Sequence, residues 1–170
     1  TGDVLAEILL QDTSGERMAA LTSFSSPWPL AKGSFFDVEC RNKEGDGAFL
    51  AVTTNVNGQP IENIKDSFFL ENLLAPTGRF SFYGQPTDVK VKKSVQKDGY
   101  RIMDLSFATL SQSTQTEIPR KARLVATIPA GSSQAVMLVS SALTSRWSKG
   151  GAEKNVYATA DSFKAVAAPK

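Results

Sequence analysis

The sequence predicts an α+β domain, a mostly antiparallel β-sheet sandwiched between helices, with residues 1–170 as a single unit. Three observations carry this expectation. Short runs of alternating apolar and polar residues recur along the chain, and one pair of them brackets Asp98-Gly99, a favoured two-residue hairpin turn. In the run Gln134 to Leu143, Ala135, Met137 and Val139 point one way while Val136 and Leu138 point the other, so both faces need cover. Finally, Val156, Thr159, Ala160 and Phe163 form one stripe of a helical segment, Gly151 to Phe163, that can supply cover on one side.

The elements follow in order. Asp3 to Leu10 and Arg17 to Ser23 are strands around the turn Asp12-Thr13-Ser14-Gly15-Glu16. Ser25-Ser26-Pro27-Trp28-Pro29-Leu30 is a rigid loop, because its two prolines have no N–H to give to a ladder. Phe35 to Arg41 and Ala48 to Val56 form a hairpin across Asn42-Lys43-Glu44-Gly45-Asp46-Gly47. Asp66-Ser67 is placed to cap a helix from Phe68 to Leu74, whose Phe69, Leu70, Leu73 and Leu74 share a face and which Pro76 ends. Asp88 to Gln96 and Tyr100 to Leu110 make the second hairpin, and Lys121 to Ile128 with Gln134 to Leu143 complete the sheet.

Composition narrows the chemistry. The chain is 41% apolar and 21% charged, ordinary for a globular protein with a core large enough to need no staples. No apolar run approaches the roughly 20 residues that span a bilayer, and no signal-like segment opens the chain. Cys40 is the single cysteine, so no intrachain disulfide forms; alternation places it on one face with Phe36 and Val38, as a buried small hydrophobe. Histidine is absent, which excludes a Ser-His-Asp triad, a Cys-His pair and any His-ligated metal. Carboxylate, lysine, tyrosine and unaided hydroxyl chemistry remain, and no catalytic constellation of these stands out; the expectation is a protein that is not an enzyme.

Charge is unevenly distributed. Residues 1–89 hold 6 Lys+Arg against 12 Asp+Glu, net −6, and residues 90–170 hold 13 against 5, net +8. Either the two halves interleave and cancel, or the molecule docks in a fixed orientation on a charged partner. The basic half contains Lys90, Lys92, Lys93, Arg120, Lys121 and Arg123, the residues singled out for docking on an acidic protein. Nucleic acid is disfavoured, since no stacking aromatics are interleaved there. Asn42 to Gly47 offers oxygen ligands but lacks the alternation and final glutamate of a calcium loop, and reads as a polar turn. Gly150-Gly151 lacks the spacing of a phosphate cradle. Trp147, between Arg146 and Lys149, is either an exposed hot spot or a plug where strand crosses into helix, with Gly150-Gly151 letting the chain turn.

Arg146-Trp147-x-Lys149-Gly150, followed by a helix ending in Ala160-x-Ser162-Phe163, resembles the C-terminal signature of the PsbP family. Ser148 stands where that family carries an aromatic residue, and Gly151 is one residue more than its pattern. Pro27-Trp28-Pro29, the strand containing Ala51-Val52-Thr53-Thr54 and the helix Asp66 to Leu74 extend the resemblance over about residues 18–166, leaving 1–17 divergent.

The resemblance implies an α/β/α sandwich in the chloroplast thylakoid lumen. It implies a monomer peripheral to the membrane, acting as an accessory or assembly factor for photosystem II or photosystem I. It implies calcium as a possible ligand, with a calcium- or small-ligand-binding module as the alternative function. No metal site is carried over, because the family's metal-binding histidines have no counterpart in this chain.

Overall fold

A computed structural model of the chain describes residues 2–31, 38–76, 78, 80–81, 84–111 and 116–169. Nine strands lie among them: β1 (Gly2–Gln11), β2 (Arg17–Ser26), β3 (Glu39–Arg41), β4 (Gly47–Asn55), β5 (Thr87–Lys97), β6 (Tyr100–Leu110), β7 (Glu117–Thr127), β8 (Gln134–Leu143) and β9 (Lys164–Ala167). Two α-helices, α1 (Asp66–Leu73) and α2 (Ala152–Asp161), and two single 3-10 turns, Ile61–Asn63 and Thr144–Arg146, accompany them. Of the strand predicted from Phe35, residues 35–37 lie outside the described residues, and with them Phe36; Val38 and Cys40 are buried as expected.

The strands form two antiparallel sheets, one of order β3-β4-β8-β7-β6-β5 and one of order β1-β2-β9. This corrects the expected sandwich of a single sheet between helices. The molecule is mostly β, and one face of the large sheet is covered by the small sheet together with α2. The reason is reach. Six strands span about 24 Å across the sheet, whereas a helix the length of α2 is about 15 Å long and covers a strip roughly 10 Å wide. The β1–β2 hairpin supplies the missing cover through Ile8, Leu10, Ala20 and Phe24, while Val156, Ala160 and Phe163 bring the apolar stripe of the α2 segment onto the same core.

The opposite face buries Phe49, Met103, Leu105, Leu124, Met137 and Val139 beneath α1, the Ile61–Asn63 turn and Phe80. β8 runs between these two cores, with Val136 and Leu138 in one and Met137 and Val139 in the other, as its sequence predicts. Two local expectations differ. Asp66 does not cap α1; it opens the helix and instead accepts hydrogen bonds from Ser94 and Arg101. β9, for which the sequence gives no alternation signal, pairs with β2 through Leu21–Val166 and Ser23–Lys164.

Candidate functional site: a basic ribbon and its groove

β5 is an edge strand of the large sheet, and along its eleven residues only Val89 is partly shielded. It is joined to β6 by a hairpin whose turn residues Asp98 and Gly99 have φ of +53° and +83°, the left-handed pair that a type I′ turn requires, and Ser94 and Gln96 tie it to Asp66 and Ile61. Register with β6 sets Lys90, Lys93, Val95 and Lys97 on one face, opposite Ser106, Asp104, Ile102 and Tyr100. The pairing slips between Val91 and Lys93, which places Lys92 in the irregularity. Lys90 contacts Asp88 at 3.6 Å, but both side chains are more than half exposed, and such a pair contributes little.

The other three residues singled out for docking lie on β7 and are engaged within the fold. Arg120 donates to the Gly45 carbonyl at 3.0 Å and to Ser141 Oγ at 2.9 Å, and its guanidinium lies 5.5 Å from the Phe80 ring. Arg123, on the opposite face, grips both oxygens of Asp104 at 2.6 and 2.9 Å and reaches Asp161 at 3.0 Å, with its guanidinium 3.9 Å over the Tyr157 ring. Those hydrogen bonds, chiefly the pair donated to Asp104, push the Arg123 pKa up against the opposing effect of burial. Lys121 is partly buried and lies 5.5 Å from the Trp147 ring. The charge of each of these residues is local information; the partners come from distant elements and leave no local trace.

Between the ribbon, β7 and the end of α2 runs an open groove of about 400 Å³. It is lined by apolar Val95, Ile102 and Val125, by the rings of Tyr100 and Phe163, and by the charged Lys93, Lys97, Lys164, Arg123, Asp98 and Asp161. Tyr100 ties the ribbon to β9: its hydroxyl donates to the Ala165 carbonyl at 3.4 Å and accepts from the Ala165 N–H at 3.2 Å. Lys164, which the sequence reading did not single out, lies 5.5 Å from the Tyr100 ring.

The Arg146-Trp147-x-Lys149-Gly150 segment is structural in its contacts. Trp147 is buried against Tyr157, edge to face at 5.5 Å, whereas Lys149 is exposed. Gly150 sits where a Cβ would come 2.8 Å from the Arg146 carbonyl, and Gly151 takes φ +71° to enter α2. Arg146 forks onto Asp46, Nε to Oδ1 and Nη2 to Oδ2, both at 2.9 Å. Asn42 Nδ2 donates to the same carboxylate at 3.1 Å, and Asn42 Oδ1 accepts from the Asp46 and Glu44 amides. The loop that offered oxygen ligands is therefore a turn clamped from outside, and among the described residues no group of three or more acidic or cysteine side chains is placed to hold a metal ion.

Burial pushes the Asp46 carboxyl up, but the bonds from Arg146 and Asn42 outweigh it and hold the group below its ordinary value. A depressed folded pKa adds stability that is present above the unfolded value, about 3.9, and is lost as pH falls through the folded one. Asp46→Asn should lower the unfolding midpoint at pH 7, and the gap from the parent protein should close as thermal melts are taken from pH 5 down to pH 2. A gap that stays constant across that window would mean the Arg146 pair contributes nothing.

No family model and no curated protein matches the chain.

Proposed function

We propose that the chain is a non-catalytic docking protein that seats on an acidic surface of a partner through the lysine-bearing β5–β6 ribbon. The observation that carries this reading is an eleven-residue edge strand, exposed nearly throughout, that presents Lys90, Lys92, Lys93 and Lys97 to solvent. Lysines on an edge also keep other strands from adding to a sheet, a role that needs no partner. Docking is favoured because these four of the 13 Lys+Arg in the positive half of a −6/+8 charge division share one exposed strand. The Arg146-Trp147-x-Lys149-Gly150 motif supports a PsbP-like setting, with the partner a photosystem II or photosystem I complex on the lumenal side of the thylakoid and the chain an accessory or assembly factor there.

The test is a triple charge reversal, Lys90→Glu with Lys92→Glu and Lys93→Glu, in pull-down onto washed thylakoid membranes. Binding should fall at least tenfold at low salt, and added salt should narrow the difference, as screening requires. Membranes that retain the variant as well as the parent protein would eliminate the ribbon as the docking element.

A further inference from the structure

The groove beside the ribbon has the features of a small-molecule site. Its volume of about 400 Å³ lies within the range of such pockets, roughly 300–1,000 Å³. The apolar lining is wet: Val95 is 39% exposed and Ile102 is partly exposed, although they are neighbours across β5 and β6. Phe163 and Tyr100 meet edge to face, with ring centroids 6.2 Å apart.

The lining carries four cations, Lys93, Lys97, Lys164 and Arg123, against two carboxylates, Asp98 and Asp161. Strand alternation sets Lys93 and Lys97 on either side of Val95, and Lys164 comes in from β9 over Tyr100. Among the described residues none of the three lysines has a carboxylate within ion-pair distance. The acids that line or border the groove are not paired with these lysines. Asp161 and Asp104 are held by Arg123, and Asp98 is in the hairpin turn.

We propose that this groove binds a small amphipathic anion. Its acyl or aromatic body lies on Val95, Ile102 and Val125, and its carboxylate or phosphate is held by Lys93, Lys97 and Lys164. Covering these residues removes apolar surface from water, and the anion relieves the repulsion of three ammonium groups around one opening while accepting charge-assisted hydrogen bonds. A neutral body of the same size gains the first contribution and forgoes the second. The groove shares Lys93 and Lys97 with the docking ribbon, but it adds Lys164, Val125 and Phe163, on which docking does not depend.

Decanoate, decyl phosphate and decanol, each below its aggregation limit, would be titrated into the full chain while amide chemical shifts are recorded. One or both anions should give saturable shifts centred on residues 93–102, 123–125 and 160–165, and which anion binds more tightly identifies the headgroup. Decanol should bind at least tenfold more weakly. The double variant Lys97→Glu with Lys164→Glu should weaken the anions at least tenfold with its thermal midpoint kept; because Lys97 also belongs to the ribbon, Lys164→Glu alone, which leaves all four ribbon lysines intact, tells failure here from failure of docking. Decanol binding equal to that of the anions, shifts scattered over the surface, or undiminished binding by a folded double variant would overturn the proposal.

Discussion

Trp147→Ala should cost about 3–5 kcal/mol of folding stability, measured by urea unfolding, the loss expected when a large buried ring leaves a cavity behind. That is a large share of a typical domain's roughly 5–15 kcal/mol. Trp147 fills the angle where β8 gives way to α2: it is 7% exposed, packs edge to face on Tyr157, and its carbonyl accepts the Glu153 N–H in the first turn of the helix. Trp147→Phe, which keeps an aromatic edge for Tyr157, should cost less. The consequence extends to the groove, because α2 carries Asp161, which orders Arg123, and leads directly into Phe163 and Lys164. Anion binding should weaken in Trp147→Ala even under conditions in which the variant is folded. A loss under about 1 kcal/mol would show that the ring is not a core member, and would return Trp147 to the exposed contact that its flanking charges also suggest.

Arg101→Ala should be the second severe substitution, costing about 3 kcal/mol, the lower end for breaking a buried charge pair because one partner is part-exposed. Arg101 is 5% exposed and acts as a tether under the second core. Its Nη2 donates to the carbonyls of Ile61 and Ile64 at 2.9 and 2.6 Å, its Nη1 bonds Asp66 at 2.9 Å, and its guanidinium lies 5.3 Å from the Phe69 ring. Without it the Ile64 carbonyl loses the side-chain donor that the fold provides, while Ile61 keeps Gln96 at 3.2 Å. Asp66→Asn should cost under about 1 kcal/mol, since its side chain is 38% exposed and such pairs are weak. Hydrogen exchange should show the amides of α1 and the preceding turn opening first in Arg101→Ala. Equal losses from the two substitutions would mean that the ion pair, and not the carbonyl bonds, fastens this segment.

The two substitutions mark where sequence reasoning succeeds and where it stops. Trp147 is legible as one of two readings, a plug at a strand-to-helix crossing or an exposed contact between its flanking charges. Arg101 reads as one more basic residue of a positive half, and nothing near it in sequence announces Ile61, Ile64 or Asp66. Arg120 and Arg123 repeat the point: their cations suggest a docking surface, while Gly45, Ser141, Asp104 and Asp161 absorb them. Lys90, Lys92 and Lys93 come out of the fold exposed, because β5 has almost no cover on either face, unlike the opposite edge strand β3, where Glu39 and Cys40 are buried.

The sequence by itself determined the local pieces: the hairpin at Asp98-Gly99, the two-faced burial of β8, the burial of Cys40, and the apolar stripe of the α2 segment. Each of these follows from side-chain periodicity or from the φ angles a turn demands, which neighbouring residues specify. Between the two readings of Trp147 the fold chose burial. Tertiary structure alone decided that the cover of the large sheet is a second sheet, that β9 joins β2 across more than 140 residues, and that Lys164 meets Lys93 and Lys97 at one groove. Periodicity says which face of an element is buried but not what buries it. That choice is made by competition among all the apolar faces in the chain for the area each can cover.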